Sequence, residues 1–155
     1  MNIGHTIIIK SNHWPRRLVK VRKIIKRIFR YKKLLEFNHM SNYYCNIVLM
    51  DDLLIGRFNK LYKKQKKSTD VLTFISKIKK NRVIEKHCDI MISSETALND
   101  AKESNKNFYD HFAHLVIHSI LHINGYSHNN NINFSLMKNK EIKILNKLGI
   151  SNPYL

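Results

Sequence analysis

The sequence predicts an α+β fold in a single domain spanning residues 1–155, and three observations carry that prediction. Four short apolar or β-branched runs read as strands. About five segments carry helical periodicity, and the later ones cluster in the second half of the chain. No repeat and no linker divides the 155 residues, a length that suits one domain, and a 43% hydrophobic content is enough for a core.

Thr6 to Ile9 is a β-branched strand. Pro15 then stands where a helix can begin. Leu18, Val21, Ile25 and Ile28 follow at helical spacing, with Arg16, Arg17, Lys20, Lys23, Arg27 and Arg30 largely between them. The result is an amphipathic helix with a basic outer face. A solvated face is the plain reading, and contact with RNA phosphates is the alternative.

Cys45 to Met50 (CNIVLM) reads as a buried strand. Asp51 and Asp52 can cap the helix that follows, through about Leu61. A basic loop, Lys63-Lys64-Gln65-Lys66-Lys67-Ser68, precedes a third strand at Val71 to Phe74 and a fourth at Asp89 to Ile92. Ser93 or Ser94 can cap a helix through about Ala101, with Glu95 in its first turn. Phe108 to Asn124 forms a long apolar helix, Asn129 to Asn133 an Asn-rich loop, and a last helix runs to about Lys147 before Gly149.

Charge is the unusual part of the composition. Lys and Arg number 28 against 11 Asp and Glu, a formal net charge of +17. Drift toward Lys, Asn and Ile accounts for some of it, but the sign favours a polyanionic partner, nucleic acid first. Cys45 and Cys88 form no CxxC and read as buried free thiols rather than a disulfide framework. The first ten residues make too short an apolar run for a signal peptide, and no stretch is long enough to span a bilayer. A cytosolic protein without membrane attachment is the expectation.

The segment that points to chemistry is His118-Ser-Ile-Leu-His122-Ile-Asn-Gly125-Tyr-Ser-His128. His118 and His122 are one turn apart and project from nearly one face of a helix. Two such imidazoles can share one ion, but a third on the same helix would stand in line with them. Gly125 can take the left-handed conformation that ends the helix and turns the chain, so that His128 approaches from another direction. Three neutral nitrogens leave a fourth position open for water, as catalytic zinc requires. One zinc ion on His118, His122 and His128 is therefore expected. His114 reads as a packed or surface histidine instead. The pattern HxxxHxxGxxH matches the metzincin peptidases except that their general-base glutamate is replaced here by Ser119, which argues against peptide hydrolysis.

HSILHINGYSH closely resembles the HGxLHLxGYDH signature of the YbeY-type endoribonucleases, bacterial rRNA maturation factors. Further blocks agree in order: NKLYKKQKKSTDVLTF from Asn59 to Phe74 resembles N-x-x-Y-R…TDVLSF, and CDIMIS from Cys88 to Ser93 resembles GDI-x-IS. Met137, Glu141, Leu145 and Leu148-Gly149 resemble the family's C-terminal helix, and Asn152-Pro153-Tyr154 a common family ending. The resemblance implies a mixed four-stranded sheet with a zincin-like metal helix and zinc on the three histidines. It implies single-strand-specific, metal-dependent cleavage of ribosomal RNA, in 16S 3′-end maturation and ribosome quality control, with the ribosome or its small subunit as partner.

Lys63 replaces the family arginine and is the residue expected to stabilise phosphoryl charge, as a point charge rather than a planar fork. Lys60, Lys64, Lys66 and Lys67 are the expected RNA-binding neighbours. Ser119 stands where the signature has Gly and Ser127 where it has Asp, which removes a possible acceptor for a ligand histidine. No carboxylate presents itself as a general base, so a metal-bound hydroxide and an RNA 2′-hydroxyl both remain open as nucleophile. These departures sustain one alternative, a metal-stabilised RNA-binding assembly factor with little turnover.

Overall fold

Alternation in burial along the strands decides the layering. The computed structural model describes residues 1–64 and 69–155. Its strands are β1 (Ile3–Ile9), β2 (Ser41–Met50), β3 (Val71–Lys80) and β4 (Val83–Ser93). Its helices are α1 (Leu18–Arg30), preceded by a 3-10 turn at Pro15–Arg17, then α2 (Lys32–Leu35), α3 (Asp52–Lys63), α4 (Ser94–Glu103), α5 (Phe108–Ile123) and α6 (Asn131–Lys147). The sheet order is β1-β2-β4-β3. β1 and β4 flank β2 in parallel, whereas β3 pairs antiparallel with β4, so the sheet is mixed, as expected.

Along β2, Tyr43, Cys45, Ile47 and Leu49 point to one face and join the main core with Ile90 and Ile92 of β4. Val21, Ile25 and Ile28 of α1 close that core from the helical side, together with the apolar face of α5. Val48, Met50, Leu72 and Met91 point to the opposite face, where Ile55 of α3 covers them. This is why Ile47 to Met50 is buried on both faces and reads as an uninterrupted apolar run. Cys45 and Cys88 face each other in register across β2 and β4 as buried free thiols.

Several caps are those the sequence called for, and one is not. The Asp51 side chain accepts from the Leu54 N–H at 2.9 Å and starts α3. Ser93 occupies the N-cap position of α4, but its hydroxyl donates to Asp52 Oδ1 at 2.6 Å instead of capping. Asp52 itself supplies the acceptor for the Thr96 N–H at 3.2 Å, and Glu95 accepts from the Asp52 N–H at 2.5 Å. The starts of α3 and α4 are thus tied reciprocally.

The Asn-rich segment is a correction. α6 begins inside it, at Asn131, because the Asn130 side chain accepts from the Asn133 N–H at 2.8 Å and nucleates the helix. The short α2 raises the number of α-helices among the described residues to six, one more than expected. The basic face of α1 is also partly structural. Arg17 and Lys20 lie over the rings of Phe108 and Tyr109 at 4.7 and 4.8 Å, and Arg27 donates to the Leu148 carbonyl at 2.7 Å. No helix among the described residues is long and apolar enough to cross a membrane.

Candidate metal centre

The site is built at the C-terminal end of α5, the most buried helix of the fold. Asn107 caps its start by accepting from the Tyr109 N–H at 2.8 Å. Phe112, Leu115, Val116, Ile120 and Leu121 anchor it in the core. With the helix axis held so firmly, the half-buried His118 and His122 have little freedom of position. The helix ends in a Schellman arrangement: the Gly125 N–H donates to His122 O at 3.1 Å and the Tyr126 N–H to Leu121 O at 3.0 Å. Gly125 has φ +97°, the left-handed region expected from the sequence. The turn brings His128 back against the helix, with its ring centroid 5.6 Å from that of His118 and 4.9 Å from that of His122.

Hydrogen bonds fix which nitrogens face inward. His118 Nδ1 donates to Glu141 Oε1 at 2.5 Å, and His122 Nδ1 donates to the Tyr126 carbonyl at 2.9 Å. In the neutral rings this leaves both Nε2 atoms as lone-pair acceptors, and they approach each other to 2.9 Å. Two lone pairs at that distance repel unless a cation or a proton lies between them. Protonation is disfavoured at His122, whose pKa is lowered by burial and further by His118. One nitrogen from each of His118, His122 and His128 can be chosen so that all three lie within 4.8 Å of one another. Three neutral imidazoles converging in this way are a donor set suited to zinc or a neighbouring transition metal.

Glu141 is the member of the site that the sequence reading missed. It is fully buried on α6, on the face that also buries Met137 and Leu145. Besides His118, it accepts from His114 Nε2 at 2.9 Å and from the Tyr154 hydroxyl. Burial by itself pushes the carboxyl up, but these three donors outweigh it and hold the pKa down to about 2. Glu141 is thus the acceptor that orients His118, while the Ser127 hydroxyl is engaged with Asn129 and Asn133. A carboxylate placed on the apolar stripe of a helix was the available signal. His114, a packed histidine as expected, is held by that same carboxylate. Lys138 lines the hollow beside His118 and His128, with its ammonium 4.7 Å from the Tyr154 ring centroid.

Lys60, Lys63 and Lys64 lie exposed on the last turn of α3 and its left-handed cap. No hydrogen bond or ion pair links Lys63 to the histidines among the described residues. Lys66 and Lys67 lie outside the described residues.

The model of the endoribonuclease YbeY family matches residues 8–149. The chain belongs to the YbeY endoribonuclease family. An endoribonuclease YbeY from Ehrlichia chaffeensis is 30% identical over 154 residues, covering 97% of this chain and 90% of that protein. One from Ruthia magnifica is 38% identical over 108 residues, covering 70% of this chain and 74% of its own length. The fold is shared with the solution structure of a Thermotoga maritima protein, with a TM-score of 0.57 at 22% identity over 94% of this chain and 92% of that one. Membership places the chain among RNA-cleaving nucleases.

Proposed function

We propose that this chain is a zinc-dependent, single-strand-specific endoribonuclease that processes ribosomal RNA, matures the 16S 3′ end and serves ribosome quality control in the cytosol. The observation that carries the metal dependence is the inward convergence of His118 and His122, whose outer nitrogens both donate away from the site. Family membership supports RNA as the substrate, and the net charge of +17 supports a polyanion. Action on ribosomal RNA, on or near the small subunit, rests on the resemblance of the ordered sequence blocks.

His118, His122 and His128 would hold the ion. When bound it would supply a Lewis acid for the scissile phosphate and a water acidified to near neutrality. Glu141 fixes the ring of His118, and the Tyr126 carbonyl fixes that of His122. Lys60, Lys63 and Lys64 draw the strand to the surface, and Lys63 and Lys138 offer positive charge to phosphate oxygens. Glu141 is occupied by three donors and holds protons in place rather than accepting one from the substrate.

The test is cleavage of a single-stranded rRNA fragment and of its duplex form by the purified chain. Multiple-turnover cutting of the single strand is expected, lost on chelation and in His122→Ala. One tightly held zinc per chain, released by His118→Ala, should accompany it. Cutting that survives both chelation and His122→Ala rules the proposal out. Tight RNA binding without turnover would instead favour the assembly-factor reading, toward which the Ser119, Ser127 and Lys63 departures point.

A further inference from the structure

A second constellation of ligating groups lies at the other end of α5. Asp70 leads into β3, Asp100 stands on α4 and His111 lies in the first turns of α5. One ligand atom from each can be chosen so that all three lie within 4.8 Å of one another. We propose that Asp70, Asp100 and His111 form a second divalent-cation site, separate from the histidine triad.

The imidazole carries the first argument. His111 Nε2 is buried and has no hydrogen-bond partner among the described residues. An orphaned ring nitrogen is a cost that folds rarely leave standing. Asp70 Oδ2 stands 3.9 Å from it, too far for a hydrogen bond. That separation suits two ligands of one ion, since bonds of about 2.1 Å place ligand atoms about 3.0–4.2 Å apart. Burial lowers the pKa of His111 against the opposing pull of Asp70, which favours the neutral, ligating ring.

The carboxylates carry the second. In a chain of 28 Lys and Arg, neither Asp70 nor Asp100 has a Lys or Arg ion-pair partner among the described residues. Asp100 is pushed up by burial and then by the like charges of Asp70, Glu103 and Asp52. Such repulsion in a strongly basic protein is what a bound cation relieves. The Asp70 and His111 side chains remain 27% and 12% exposed, which leaves room for entry and for completing waters.

Donor chemistry and distance define the ion. One imidazole and two carboxylates suit first-row ions such as Mn²⁺, Fe²⁺ or Zn²⁺. His111 lies about two turns before His118, roughly 10 Å along the axis. That excludes a co-catalytic pair, whose ions sit about 3.5–4 Å apart. This ion would instead clamp the entry of β3, directly after the lysine-rich stretch, to α4 and α5.

The full chain, loaded first with one equivalent of zinc, is titrated with Mn²⁺ while the electron paramagnetic resonance signal of free Mn²⁺ is followed. One Mn²⁺ should be taken up per chain with zinc retained. Asp100→Asn and His111→Gln should each weaken uptake at least tenfold, and zinc-free His122→Ala should keep it. Asp100→Asn removes a repelled charge, so it should fold normally, and Mn²⁺ should raise the melting temperature of the wild type but not of this variant. Absence of Mn²⁺ uptake by the zinc-loaded wild type, or uptake by folded Asp100→Asn equal to wild type, overturns the second site.

Discussion

Replacing Glu141 by Gln should cost the metal centre one to two orders of magnitude in zinc affinity. Glu141 is completely buried and is surrounded by three donors, His118 Nδ1, His114 Nε2 and the Tyr154 hydroxyl. A carboxylate can accept all three, whereas an amide offers one acceptor oxygen and turns two N–H groups toward the remaining donors. At least one charge-assisted hydrogen bond is lost, each worth about 1.5–3 kcal/mol, and a donor is left facing a donor. If the amide nitrogen faces His118, relief comes from moving the ring proton to Nε2, the atom that must be bare to bind metal. Loss of such an orienting partner typically weakens metal binding about 10–100-fold, or about 1.4–2.7 kcal/mol. Competition against a chromophoric chelator at neutral pH reads the affinity, near-UV circular dichroism confirms the fold, and urea melts of the metal-free chain read the stability cost. A folded Glu141→Gln chain that binds zinc within twofold of wild type would refute this account of the carboxylate.

Other substitutions separate the turn, the helix and the distant surface. Gly125→Ala has open space for its Cβ but must hold φ +97°, so it should lose about 1–2 kcal/mol and bind zinc more weakly as His128 swings away; thermal melts and zinc titration read both, and an unchanged melt would show that the turn is not strained. Ser119 Oγ is buried with no partner among the described residues, so Ser119→Ala should raise stability by about 1 kcal/mol, and a destabilised variant in urea melts would mean the hydroxyl is satisfied after all. Asp51→Ala should remove the cap of α3 at a cost of about 1 kcal/mol while zinc content stays the same, because that helix packs on β4 and α4 rather than on the histidines; loss of zinc in this variant would contradict that separation.

Strands and long helices were legible because their periodicity is enforced by a core on one side. Leu18, Val21, Ile25 and Ile28 announce α1, and the apolar run that closes Cys45 to Met50, unbroken from Ile47, announces a strand covered on both faces. The histidine triad was legible because a helical pair followed by glycine constrains three directions within a few residues. Glu141 was not, because it meets His118 across 23 residues and through a helix pairing that local spacing does not encode. The cluster of Asp70, Asp100 and His111 was hidden for the same reason, with each member on a different element. The onset of α6 was misplaced because asparagines serve loops and helix caps equally well, and here Asn130 caps. Ser93 was correctly placed at a helix start, yet its hydroxyl found a better acceptor in Asp52, a choice set by tertiary neighbours.

The dependence of His118 on α6 bears on how the protein is made. Chains emerge from synthesis N-terminus first, and early segments fold before late ones exist. When His118, His122 and His128 are first available together, neither Glu141 nor Tyr154 has yet been added. At that stage the Tyr126 carbonyl can already orient His122, but the tautomer of His118 is free. Only when the final helix docks does the carboxylate fix the His118 ring with its Nε2 turned toward His122. On the proposed zinc site, firm capture would then follow the docking of α6, and a chain cut before that helix would hold zinc more loosely.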